Sequence, residues 1–77
     1  MNTVYLERHD ITKNMHRFYR LWIMPTLFGD WALIREWGRV GSPGTVRECW
    51  YGDRESAEAE AEKLHRQKEQ RGYQALF

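Results

Sequence analysis

The sequence has little cysteine, little proline and no long hydrophobic run, and each shortage excludes a class of protein. Its single cysteine, Cys49, permits no disulfide within the chain and cannot build a structural zinc site. No apolar run approaches the roughly 18–20 residues that a membrane-spanning helix needs. The N-terminus also lacks the apolar segment of a signal peptide. We therefore expect a cytoplasmic protein with no membrane association.

An excess of charge of one sign is also missing. The chain carries 12 Lys and Arg against 11 Asp and Glu, a formal net charge of +1, which by itself indicates no particular partner. Residues 1–52 nevertheless contain six Arg and only one Lys, and the forked guanidinium group suits contacts to phosphate or carboxylate. Aromatic residues are plentiful, at 14% of the 77 residues. This predicts one folded domain, residues 1–77, with a thin core filled by large side chains.

The hydrophobic pattern predicts strands over the first two thirds of the chain. β-prone segments bounded by turn residues predict strands at residues 3–8, 18–24, 31–37 and 45–51, with residues 9–14 as a loop. In the second strand, Tyr19, Leu21 and Ile23 form the expected core face. Consecutive strands joined by short turns imply an antiparallel sheet.

The last third of the sequence predicts a helix. Asp53 is the expected N-cap and Gly72 the expected stop. Ala57, Ala61 and Leu64 form a narrow apolar stripe whose small residues would let the helix lie close to the sheet. Residues 73–77 then form either a short edge strand or a packed tail. The predicted fold class is α+β, with an antiparallel sheet of four to five strands and one helix packed on it.

No group of residues predicts catalysis. His9, His16 and His65 lie in three different segments, and no two of them have the spacing of metal ligands. They are expected to be surface histidines, and the glutamates at positions 55, 58, 60 and 62 to be a solvated helix face. We expect no enzyme, no metal site and no cofactor.

Arginine and tryptophan alternate along the third predicted strand. Arg35, Trp37 and Arg39 share one face if Gly38 leaves the register intact, and Arg47 can lie beside them on the fourth strand. Two interpretations are open. An exposed indole can stack on a base or sugar while the arginines contact phosphates. Alternatively, Trp37 closes the end of a small core and the arginines are solvated.

Residues 35–41, Arg-Glu-Trp-Gly-Arg-Val-Gly, closely resemble the motif of the WGR domain. This domain occurs in the DNA-dependent poly(ADP-ribose) polymerases and in small bacterial proteins. Asn14 with residues 18–21 resembles the family's second strand, and residues 68–73 resemble its downstream pattern. The resemblance covers residues 3–73 and implies a small antiparallel sheet with one helix packed on it.

The resemblance also implies a function. In the polymerases the domain contacts DNA near a strand end. Trp37 matches the motif tryptophan that packs against a nucleic-acid sugar, and Arg39 matches an arginine that serves largely in contacts between domains. The family's frequent Ser before the tryptophan is Glu36 here, an acidic residue that would not help phosphate binding.

Together, the motif and the arginine-lined strand predict a non-enzymatic module that binds DNA weakly and with strong salt dependence. The expected contact residues lie on the third strand, directly after it or on the fourth strand: Trp37, Gly38, Arg39, Arg35 and Arg47. The alternative is a protein-interaction module that uses the same surface. Trp and Arg are both enriched at binding hot spots, so composition does not separate the two.

Overall fold

An antiparallel sheet with a helix on one of its faces forms the fold. The computed structural model describes residues 3–76. The elements in chain order are β1 (Val4–Asp10), a 3-10 turn (Ile11–Lys13), β2 (Met15–Pro25), β3 (Trp31–Arg39), β4 (Thr45–Tyr51), α1 (Arg54–Gln70) and β5 (Gln74–Ala75). The five strands pair antiparallel in the order β4-β3-β2-β1-β5. The predicted α+β class is confirmed, and the predicted edge strand is β5.

The hairpin between β1 and β2 is tighter than the sequence pattern predicted. Strand β1 continues to Asp10 and β2 already begins at Met15. Only a 3-10 turn separates the two strands, and Asn14 closes it in the left-handed conformation with φ of 49°. Asn tolerates that conformation, which suits it to the last position of the connection before β2. The loop predicted at residues 9–14 is wrong for residues 9 and 10, which belong to β1. Their side chains are polar, so the hydrophobic pattern did not indicate a strand there.

The core lies between the sheet and α1. Its largest fully buried side chains are Leu6, Leu21 and Leu33, one from each of the three central strands. On the helix, Ala57 and Ala61 are fully buried. Because alanine has so small a side chain, the helix packs close to the leucines.

Both predicted apolar faces are confirmed. On β2, Tyr19 belongs to the buried cluster with Leu21, and Ile23 packs against it. On α1, Leu64 extends the alanine stripe and packs against the same cluster. Within residues 3–76, no helix has the length and apolar character needed to cross a membrane.

Both ends of α1 follow local rules. At the start, Asp53 accepts a hydrogen bond from the Ser56 backbone N–H at 2.7 Å, as an N-cap does. At the end, Gly72 adopts a φ of 97°. The Gly72 N–H then donates to the Glu69 carbonyl, and the Tyr73 N–H donates to the Lys68 carbonyl at 3.1 Å. These two bonds form a Schellman motif, which places Tyr73 next to Lys68.

The register of β3 decides which side chains face the helix. It pairs with β2 residue for residue, from Trp31 opposite Pro25 to Arg39 opposite Arg17. No bulge interrupts the pairing at Gly38, so strand alternation continues through it. The face that α1 covers is called the helix face below, and the opposite side of the sheet is called the open face.

Two glycines bring the β3–β4 turn against the sheet. A Cβ on Gly38 would lie 3.0 Å from the Gly44 Cα. A Cβ on Gly44 would lie 2.8 Å from the Phe18 ring and would also meet the main chain of Trp37. The absence of side chains at Gly38 and Gly44 therefore permits a close approach between the turn and β3.

We expect the Gly44→Ala substitution to destabilise the fold, because the added methyl group has no room against Phe18 and the β3 backbone. The free energy of unfolding should fall by about 1–3 kcal/mol, the usual cost of overpacking. Urea unfolding followed by circular dichroism measures it. Gly52→Ala is the matched control, since a Cβ there meets nothing within 4 Å. The control should change stability by less than about 0.5 kcal/mol, and equal losses in the two variants would contradict the packing argument.

The helix N-cap predicts a pH dependence. The Ser56 backbone N–H holds the pKa of Asp53 below its usual range. A carboxylate whose folded pKa is depressed stabilises the fold above the unfolded pKa of about 3.9, and that contribution is lost as the pH falls through the folded pKa. Asp53→Ala should therefore lower the melting temperature at pH 7, and by less at about pH 3. A pH-independent difference in thermal unfolding would contradict this account.

Candidate functional site

Trp37 lies at the border between the core and solvent on the helix face. Its ring is stacked on Tyr19, the residue directly opposite on β2, with centroids 6.0 Å apart and planes 20° apart. Tyr19 is almost fully buried, and Trp37 packs partly buried against the core cluster. The Arg35 guanidinium lies 5.7 Å from the indole centroid. Trp37 therefore closes the end of the core, and its remaining surface is available for a ligand.

Lys68 joins the helix end to these rings. Its Nζ lies 4.6 Å from the Tyr19 ring centroid and 5.8 Å from that of Tyr73, both within cation–π range. Burial lowers the pKa of Lys68, and repulsion from Arg71 and Arg35 lowers it further. Burial also raises the pKa of Tyr19. Burial therefore disfavours the charged form of both groups, and the two neighbouring arginines disfavour the charge of Lys68 further.

Beside this cluster, a cleft of about 880 Å³ opens where the sheet and helix end together. Three stretches of the chain contribute its lining: Lys13, Asn14, Met15, His16, Arg17, Tyr19; Trp37, Gly38, Arg39, Pro43, Gly44, Thr45; Lys68 and Tyr73. Four of these residues are Lys or Arg. None of the described lining residues is Asp or Glu.

The positive charges of the cleft are not neutralised within residues 3–76. Arg17 and Arg39 stand directly opposite each other on β2 and β3, an arrangement that is unfavourable for like charges. Arg39 donates only one long hydrogen bond, 3.5 Å, to the Asn14 carbonyl. The described ion pairs involve neither of these arginines and neither of the cleft lysines. The cleft is consequently suited to an anion.

The structure brings together three of the five predicted contact residues in the cleft lining: Trp37, Gly38 and Arg39. The other two lie outside it. Arg35 contacts the Trp37 ring instead, and Arg47 is exposed on the edge strand β4, directly opposite Arg35. All the side chains of the set lie on the helix face, because Gly38 leaves the register intact.

Glu36, the acidic residue inside the motif, does not face the cleft. Strand alternation places it on the open face, where it pairs with Arg20, its neighbour on β2. The Arg20 Nε donates to the Glu36 carboxylate at 3.0 Å. The negative charge of Glu36 is therefore directed away from the cations on the helix face.

Several lining residues were not among the predicted contact residues, including all the remaining cations of the cleft and one tyrosine: Lys13, Arg17, Lys68 and Tyr73. Arg17 could have been found by extending the β2–β3 register, which sets it opposite Arg39. Lys68 and Tyr73 follow from the Schellman motif that Gly72 signals. Lys13 depends on the path of the tight β1–β2 connection, for which the local sequence carries no comparable signal.

Comparisons with known proteins identify the family of this chain. A family model described as the WGR domain matches residues 2–76. An uncharacterised protein, y4dW, of Sinorhizobium fredii (strain NBRC 101917 / NGR234) is 44% identical over 70 residues, which are 91% of this chain and 34% of that protein. The chain thus spans about a third of the length of this relative. The resemblance seen in residues 35–41 is confirmed by the family match, and the chain belongs to the WGR-domain family.

Proposed function

We propose that residues 1–77 act as one non-catalytic module that binds nucleic acid, in particular DNA, in the cleft beside Trp37. The observation that supports this most directly is the cleft's charge: four Lys or Arg residues and no Asp or Glu among its described lining. Phosphate contacts by Lys and Arg supply most of the affinity of non-specific nucleic-acid binding. Membership of the WGR-domain family favours the same function.

Each side chain has a role in this proposal. Arg17 and Arg39 hold successive phosphates, because two guanidinium groups side by side can share a polyanion that relieves their repulsion. Lys13 adds a contact from the turn. Trp37 presents its exposed surface to a sugar or base, while Arg35 supports the indole from within the protein. Arg47 extends the positive helix face toward the β4 edge.

Within DNA, we propose that ends or breaks are the preferred sites. The cleft lies where the sheet and α1 both terminate, so a strand terminus can reach Trp37 without a continuous duplex crossing the helix. The resemblance to the polymerases, whose domain contacts DNA near a strand end, favours the same preference.

A protein partner on the same surface is the alternative. The cleft residues Trp37 and Arg39 are of types found at protein hot spots. A lining that combines four cations with no carboxylate favours a polyanion over an ordinary protein surface. Capture of a partner that survives nuclease treatment and is abolished by Arg39→Glu would support the protein alternative instead.

Substitutions in the cleft should weaken DNA binding at low salt. Trp37→Ala should raise the Kd about 5- to 150-fold, the range for losing one aromatic stacking contact. Arg39→Gln should raise it several-fold, and because Arg39 is exposed the fold should be unaffected. Fluorescence anisotropy with blunt, nicked and single-stranded DNA measures these effects, with circular dichroism to verify the fold.

Arg54→Gln is the matched control for Arg39→Gln. It removes the same charge at the start of α1, beside Trp31 at the opposite end of β3 from Arg39. The control should bind DNA like the wild-type protein. Absence of binding to every DNA form at low salt would refute the proposal, as would an equal loss in the Arg39 and Arg54 variants. A hairpin-capped duplex bound as well as the open one would refute the preference for ends alone.

Salt dependence supplies a second quantitative prediction. Each neutralised phosphate contributes about 0.9 to the magnitude of the slope of log K against log salt, so the four cleft cations together contribute at most about −3.6 to that slope. Arg39→Gln should reduce the magnitude of that slope by about 1. Repeating the anisotropy titrations at several salt concentrations measures both values. An unchanged slope in this variant would exclude a phosphate contact by Arg39.

A further inference from the structure

The β1–β2 hairpin brings two histidines into direct contact. His9 and His16 are opposite partners in the strand register, and their Nδ1 atoms lie 2.7 Å apart. The ring centroids are 5.0 Å apart. Both rings lie on the open face, since strand alternation directs His16 away from its neighbour Arg17. The sequence spacing of the histidines did not indicate this contact, because residues seven apart in sequence meet across the tight turn.

A carboxylate orients the first of these rings. The Nε2 of His9 lies 2.8 Å from the Glu7 Oε1, and the Tyr5 hydroxyl donates to the Glu7 Oε2 at 2.6 Å. With a carboxylate as acceptor, Nε2 carries the proton of a neutral His9 ring. The lone pair of His9 then resides on Nδ1, which faces His16. A ring that donates its second N–H to a carboxylate is the usual arrangement of a metal-bound histidine.

We propose that His9 and His16 form a two-imidazole site for a divalent transition-metal ion of the zinc(II), nickel(II) or copper(II) class. Imidazole suits these ions. In the metal-free protein, His16 donates its Nδ1–H to the His9 Nδ1. On binding, that proton moves to the His16 Nε2, so that both neutral rings offer an Nδ1 lone pair and no proton is lost.

The geometry needs only a small adjustment. Metal–nitrogen distances of about 2.0–2.1 Å at a tetrahedral angle place the two nitrogens about 3.3 Å apart. The rings must open by a fraction of an ångström, which side-chain rotation permits because the His9 side chain is 46% exposed. No three His, Cys, Asp or Glu side chains of residues 3–76 converge on one point. Water fills the remaining positions of the ion.

The turn holds the two ligands in register. Asp10 accepts hydrogen bonds from the backbone N–H and the hydroxyl of Thr12. The Asn14 N–H closes the turn by donating to the Ile11 carbonyl at 3.1 Å. A ligand pair that is already placed by the fold loses little conformational entropy when the ion binds. The hairpin thus holds two imidazole ligands in a position to bind the same ion.

Calorimetric titration of the metal-free chain with nickel(II), and separately with zinc(II), tests the proposal. All proteins carry Cys49→Ser, which removes a competing thiol. We expect one ion per chain. His16→Asn should weaken binding at least tenfold, and Glu7→Gln about 10- to 100-fold, the usual effect of removing the carboxylate behind a metal-bound histidine. His65→Asn, on the helix, is the matched control and should bind like the parent.

A measurement on the parent protein makes the test independent of how the variants fold. Zinc(II) should shift the Nδ1 resonances of both His9 and His16 in ¹⁵N spectra and leave His65 unshifted. Absence of saturable one-to-one binding would overturn the proposal. It would equally be overturned by parent-like affinity in a folded His16→Asn variant, or by ring resonances that zinc does not move.

Discussion

The uninterrupted pairing of β2 with β3 through Gly38 is the constraint on which the cleft depends. A bulge at Gly38 would turn Arg39 to the open face and separate it from Arg17. Glycine at this position instead lets the β3–β4 turn lie directly on the strand, through its contact with Gly44. The same alternation that directs Trp37 and Arg39 toward the helix face directs Glu36 away. Register thus separates the motif's positive charges from its negative one.

The end of α1 completes what the sheet begins. The Schellman motif at Gly72 sets Lys68 and Tyr73 side by side, and both reach Tyr19. Tyr19 in turn stacks on Trp37, so the aromatic contacts run from the helix end to the motif. A thin core with alanines on the helix permits this, because the helix lies close enough for its last turn to reach the sheet. Packing and charge placement therefore follow from the same contacts.

Local physics made much of the fold predictable. A helix start is indicated by Asp53, whose side chain caps the first turn. A helix end is indicated by Gly72 and a turn by Asn14, because both residues tolerate the left-handed conformation. The alternation of apolar residues on β2 identified the core face, because successive side chains of a strand point to opposite faces of the sheet. The contact between His9 and His16 escaped because polar residues at a hairpin end show no hydrophobic alternation. Lys68 escaped because its position matters only relative to a strand almost 50 residues earlier.

The cleft draws its walls from residues 13–17, 37–45 and 68–73, stretches that meet only in the folded chain. An anion bound there has no equivalent site on the unfolded polypeptide, so its binding free energy adds to the stability of the fold. At a ligand concentration a hundred times the Kd, that addition is about 2.7 kcal/mol. For a domain with so thin a core, this is a substantial share of the total free energy of unfolding. If nucleic acid binds in the cleft as proposed, occupancy of the cleft and resistance of the domain to unfolding rise together.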